Sequence, residues 1–102
     1  GAAFTELEAA LKIDPHYMPA FYHLGRIATL ADTNFARGEE ALKKYLGYTP
    51  TDREPALANA HYYLGAIYEK QGKKSEAKES YQAALRLNPT HENASKALKR
   101  LS

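Results

Sequence analysis

Four histidines, His16, His23, His61 and His91, are the side chains of this sequence best suited to hold a metal or move a proton near neutral pH. One of them lies in a recognisable pattern. His91-Glu92-Asn93-Ala94-Ser95 starts like the zinc-hydrolase signature H-E-x-x-H, but Ser95 stands where the second ligand is required. A lone imidazole on that helix face does not make a zinc site, so no metal is expected, and nothing calls for another cofactor. There are no cysteines, which removes thiol nucleophiles, disulfides and cysteine zinc sites. That absence suits the cytoplasm and the periplasm equally and leaves the compartment open. The three aspartates, Asp14, Asp32 and Asp52, fall at expected helix ends and read as caps. No nucleophile elbow, phosphate-cradling glycine loop or dinucleotide fingerprint occurs. The chain is not expected to be an enzyme.

Binding chemistry is better represented. Eight tyrosines are present, and the formal charge of +2 is unevenly spread. Residues 1–72 carry seven basic and nine acidic side chains, whereas residues 73–102 carry seven and three. Lys73, Lys74, Lys78, Lys96, Lys99 and Arg100 could meet phosphates while tyrosines stack on bases, as RNA binding requires. Glu76, Glu79 and Glu92 interrupt that patch, so nucleic acid stands as the weaker alternative.

The elements that must position these residues are helices. Of 102 residues, 53 are Ala, Leu, Lys, Arg or Glu, with three Ile and no Val. A sheet core without Val and with so little Ile would be unusual, so the class is all-α. The mass of 11.4 kDa is one domain's worth. No apolar run approaches the roughly 18 residues of a membrane span, so a soluble chain with no membrane partner is expected. Hydrophobic spacing and stop signals place helices at about 3–13, 17–31, 34–48, 55–71, 75–87 and 91–101. Gln71-Gly72 reads as a helix end, and Ser75 and Asn34 as N-caps.

The sequence repeats itself. Tyr22-His23-Leu24-Gly25-Arg26-Ile27 returns 40 residues later as Tyr62-Tyr63-Leu64-Gly65-Ala66-Ile67. Likewise Ala9-Ala10-Leu11-Lys12-Ile13-Asp14-Pro15 returns as Ala83-Ala84-Leu85-Arg86-Leu87-Asn88-Pro89. With Leu64, Gly65, Tyr68, Ala77, Tyr81, Ala84 and Pro89 in place, residues 58–91 resemble a unit of the tetratricopeptide repeat family, whose helix–turn–helix is about 34 residues long. The resemblance implies one domain over 1–102, a short right-handed α-solenoid of antiparallel helix pairs. Residues 3–15 would be the second helix of an incomplete repeat, 18–57 a longer repeat, 58–91 a complete one and 92–102 a capping helix. In the longer repeat Leu24, Gly25, Ala41, Tyr45 and Tyr48 match, and Ala28 replaces the expected Tyr. About four of its six extra residues are expected around Thr33–Ala36 and two between Pro50 and Pro55.

The resemblance also implies a function: a non-catalytic scaffold that binds a peptide or protein segment in the concave groove lined by the first helix of each unit. The family's groove positions fall on Pro19, Tyr22, Arg26 and Thr29, and on Asn59, Tyr62, Ala66 and Glu69. Lys96 and Arg100 extend them on the cap. Within each helix these share one face, and they mix Tyr with Arg, the types enriched at binding hot spots. The bland alternative is that Tyr22 and Tyr62 only cover a seam. The members of the family that clamp a terminal carboxylate use Lys and Asn, where this chain has Tyr22, Arg26, Tyr63, Asn93 and Ala97. Only Arg26 could serve, so a ligand with an acidic or aromatic anchor is expected instead. The second alternative is self-assembly. Phe4, Leu7 and Leu11 would face a first helix that the sequence lacks, leaving a sticky end that could pair copies. The chain therefore reads as a fragment of a longer array.

Overall fold

The computed structural model describes residues 2–101 and holds six helices: α1 (Ala2–Ile13), α2 (Met18–Ala31), α3 (Phe35–Leu46), α4 (Leu57–Lys70), α5 (Lys74–Leu87) and α6 (Glu92–Leu101). Each expected helix is present, with ends shifted by one or two residues. Two kinds of connection alternate between them. After α1, the Asp14 N–H still reaches the Ala10 carbonyl at 2.9 Å, and the Asp14 carboxylate accepts the His16 N–H at 3.1 Å. Asn88 repeats this after α5, bonding Ala84 through its N–H at 2.9 Å and accepting from the Thr90 N–H at 3.2 Å. A proline follows each and cannot extend the ladder, so the chain turns within four residues.

The other connection is a three-residue turn, 32–34 and 71–73. In the second, the Lys73 N–H bonds Tyr68 O at 2.8 Å and the Gly72 N–H bonds Glu69 O at 3.0 Å, with Gly72 left-handed at φ 79°. This is a Schellman stop. In the first turn Asp32 takes the left-handed place at φ 59°, a conformation that Asp tolerates better than most residues. The two expected N-caps come out differently. Ser75 lies inside α5, because the tight turn lets the helix begin at Lys74. Asn34 does stand at the N-cap of α3, and its carbonyl accepts the Gly38 N–H at 2.9 Å, but its backbone is left-handed at φ 57° and its side chain makes no capping bond, which needs extended backbone.

The six extra residues of the longer repeat are also placed differently from expectation. The 32–34 turn is no longer than its counterpart, while the α3–α4 connection spans ten residues, 47–56, against four in the α1–α2 and α5–α6 connections. This connection is fastened to the bundle. The Tyr45 hydroxyl donates to Pro55 O at 2.5 Å, the Tyr48 hydroxyl to Glu54 Oε1 at 2.7 Å, and the Thr51 N–H to the same oxygen at 2.9 Å.

Packing is set by small residues on the first helix of each pair. A Cβ added to Gly25 would lie 2.1 Å from Leu42 Cγ, and one on Gly65 would lie 2.8 Å from the Tyr81 ring. Bulk on α3 or α5 therefore sits directly on the backbone of α2 or α4. The contacts also correct the register of the longer repeat: Leu42 holds the place of Tyr81, and Tyr45 that of Ala84. Gly38, whose added Cβ would meet Ala28 Cβ at 2.7 Å, is the counterpart of Ala77, so small Ala28 is matched by a still smaller partner. Leu24, Leu42, Tyr45, Ile67 and Tyr81 fill the centre at 1% exposure or less. The pairs α2–α3 and α4–α5 stack through α3–α4 and α2–α4 contacts, with α1 and α6 at the two ends.

Candidate functional site

The expected groove residues lie on α2, α4 and α6, and the structure divides them into three groups. Tyr22 and Thr29 are buried, at 6% and 9% exposure. The face defined by i, i+4, i+7 spacing turns partly inward because α2 leans on α4 as well as α3. Tyr22 packs its ring against Tyr63 at 5.7 Å and Tyr45 at 5.6 Å. Burial, then the neighbouring Tyr63, pushes its hydroxyl far above the ordinary phenol range. The Thr29 hydroxyl bends back to Gly25 O at 2.9 Å. Neither side chain is presented on the surface.

A second group is engaged across helices. Glu69 Oε1 accepts from the Tyr81 hydroxyl at 2.8 Å and from Arg100 Nη2 at 2.6 Å, and Arg100 Nε reaches Oε2 at 3.2 Å. Burial alone would raise the Glu69 pKa, but the Arg100 and Tyr81 hydrogen bonds outweigh it and hold it below the usual carboxylate value. Asn59 Oδ1 lies 2.9 Å from His91 Nε2, and the Ala94 N–H donates to His91 Nδ1 at 3.1 Å. His91 thus caps α6 and ties it to α4. That role went unseen in the sequence, although a polar residue just before a helix start was the available signal.

The third group faces outward. Arg26 and Lys96 are exposed, and no carboxylate pairs with Arg26 among the described residues. Tyr62 is half-buried, with rings of Tyr63, His91 and Tyr81 at 5.2, 5.3 and 5.8 Å. The rings of Tyr45, Tyr22, Tyr63, Tyr62 and His91 form one unbroken series across α3, α2, α4 and the start of α6. Tyr63 was not among the expected groove residues, yet it joins the two halves of that series. His23, edge-on to Tyr22 at 5.3 Å, has its pKa lowered by partial burial and then by Arg26, which favours the neutral ring.

The N-terminal residues are placed as follows. Leu11 is buried at 7% exposure, and Phe4 and Leu7 are half-buried against the core. Leu11 is therefore not available to a partner, because α1 packs on α2 through it. Glu8 on α1 takes three hydrogen bonds from the Arg37 guanidinium of α3, at 2.8 to 3.1 Å. Among the described residues no cluster of three or more His, Asp or Glu is placed to hold a metal ion. No described helix is long and apolar enough to cross a membrane.

Comparison with known proteins joins this geometry to a family. The sequence profile of the tetratricopeptide repeat matches residues 58–91. An uncharacterized protein, ycf37, of Pyropia yezoensis is 30% identical over 88 residues, which is 86% of this chain and 49% of that protein. The chain spans about half the length of this relative. Residues 58–91 thus form a tetratricopeptide repeat, and six helices in stacked pairs are consistent with an all-α solenoid of that type. Such repeats generally mediate protein–protein contacts and typically carry no catalytic machinery.

Proposed function

We propose that this tetratricopeptide-repeat chain holds an extended peptide or protein segment along the face formed by α2, α4 and α6, without catalysis. The carrying observation is Arg26, a guanidinium with no paired carboxylate among the described residues, beside a continuous series of tyrosine rings. A planar guanidinium recognises carboxylate oxygens two at a time, and tyrosine edges offer apolar area with hydroxyl donors. Arg26 and Lys96 would take the acidic side of the ligand, and Tyr62 an aromatic or proline ring. Tyr22 and Tyr63 support this face as its rigid floor. The Glu69–Arg100 pair and the Asn59–His91 bond would keep α6 in line with α4. RNA contact has less support, since Arg100 of the basic end is already paired with Glu69.

Selection of random displayed peptides on the immobilised chain tests the reading. Enriched sequences should share an acidic residue near an aromatic one, and their affinity should fall about tenfold or more in an Arg26→Glu variant, as loss of a charge-assisted pair demands. No enrichment, or affinity indifferent to Arg26→Glu, would contradict it.

A further inference from the structure

The concave reading leaves unused a furrow of about 290 Å³ between α4 and α5, with His61 and Tyr68 on one side and Glu76, Glu79, Ser80 and Arg86 on the other. Both walls belong to the complete repeat 58–91, which lies between α3 and α6 in the chain. The longer repeat supplies an internal control. In the register set by Leu42 and Tyr81 on their glycines, Phe21 stands for His61, Arg37 for Glu76, Glu40 for Glu79, Ala41 for Ser80 and Lys44 for Ala83. There the chain provides its own cations. The Arg37 guanidinium lies 5.9 Å over the Phe21 ring and is paired with Glu40, and the Lys44 ammonium lies 5.5 Å over the same ring. Phe21 is left 6% exposed. In the complete repeat the ring and the carboxylate recur as His61 and Glu79, but a carboxylate and a methyl, Glu76 and Ala83, replace the two cations. His61 is only half-buried, and neither Glu76 nor Glu79 has an ion-pair partner among the described residues. A second observation points the same way. Ser80 is buried at 7% exposure and lines the furrow, and its hydroxyl bonds no group among the described residues. A polar group held that far from water calls for a partner. The longer repeat has Ala41 in its place and needs none.

We infer that this furrow receives one arginine side chain of a protein partner, its guanidinium stacked on the His61 ring and hydrogen-bonded to Glu79, Glu76 and the Ser80 hydroxyl. Arg37 shows the arrangement within the chain itself, with a ring beneath the guanidinium and a carboxylate beside it. A guanidinium is flat, so it can lie on a ring while its N–H edge reaches several acceptors; an ammonium is a compact charge and cannot do both. Partial burial and then Arg86 lower the His61 pKa, which favours the neutral ring. The two carboxylates outnumber Arg86, yet the furrow has room for a single cation. Arg86 stands at one end, and at the other Lys43 and Lys73 already lie over the Tyr68 ring at 5.9 and 5.8 Å. An arginine flanked by neutral or acidic residues therefore fits, and a polybasic segment does not.

The probe is N-acetyl-arginine amide, titrated into the intact 102-residue chain carrying labelled histidine and alanine. N-acetyl-citrulline amide, of the same shape without the charge, and N-acetyl-lysine amide are the controls. The site requires saturable shifts of the His61 ring and the Ala83 methyl, with citrulline about tenfold weaker or worse, as loss of charge-assisted bonds demands. Lysine should also bind more weakly than arginine. Glu79→Gln should weaken arginine binding about threefold or more. Glu76→Arg, which gives the furrow its own guanidinium as Arg37 does for the first, should abolish it. Both glutamates are exposed, and if the Glu76→Arg chain does not fold, Glu79→Gln and the two controls decide. The inference is overturned if neither His61 nor Ala83 shifts, if either control binds as well as arginine, or if arginine binding is indifferent to both substitutions.

Discussion

Gly25 shows how one residue sets the approach of two helices. Alanine is worth about 1 kcal/mol over glycine inside a helix, yet a Cβ at this position would lie 2.1 Å from Leu42 Cγ. Gly25→Ala should therefore destabilise the chain by about 1–3 kcal/mol through overpacking. Adding Leu42→Ala should relieve the clash, so that the double variant is more stable than the sum of the singles allows. Urea titration of the four proteins checks this, and strict additivity would contradict it. His91 makes a second case. His91→Ala should cost about 1 kcal/mol and speed amide exchange in α6, while His91→Asn should restore most of the loss because asparagine is itself a good cap. The two glycines were legible in the sequence because Leu-Gly recurs at a fixed spacing. The burial of Tyr22 and Thr29 was not, since helical spacing says which residues share a face and not which neighbour leans on it.

At the scale of elements, the ends of the solenoid are held by polar ties across helices. The Arg37 hydrogen bonds, helped by its charge, hold the Glu8 carboxyl below the usual carboxylate value against the opposing effect of burial. A carboxylate whose pKa is lowered on folding adds stability above its unfolded value, about 4.3, and loses it as pH falls through the lower folded value. The α1 tie should therefore weaken on acidification below roughly pH 4, where α1 amides begin to exchange faster. An Arg37→Met chain should show the faster exchange already at neutral pH and lack that added acid sensitivity; equal exchange in both proteins would refute the tie. All six helices were legible from stop signals, because Asp14-Pro15, Asn88-Pro89 and Gln71-Gly72 act locally. The location of the six extra residues was not. Tyr45 and Tyr48 reach forward to Pro55 and Glu54, and bonds between positions six and ten apart leave no periodic trace.

For the whole molecule, two different surfaces emerge from one repeat. The tyrosine series with Arg26 faces across the first helices, and a groove lined by Leu7 and Ile27 lies between α1 and α2. Binding on the first should respond to Arg26→Glu and be indifferent to Ile27→Glu, because the two substitutions alter different faces. The candidate groove was legible in outline, since Arg26, Tyr62 and Lys96 are presented. Its division into floor, cross-helix ties and open contacts required the packing. The most direct measurement is a chemical-shift map of the chain titrated with an acidic, tyrosine-containing peptide from the proposed selection. The account predicts shifts centred on Arg26, Tyr62 and Lys96, with α3 and the outer face of α5 unmoved. Shifts confined to α3 and α5, or no saturable shift at any residue, would contradict it.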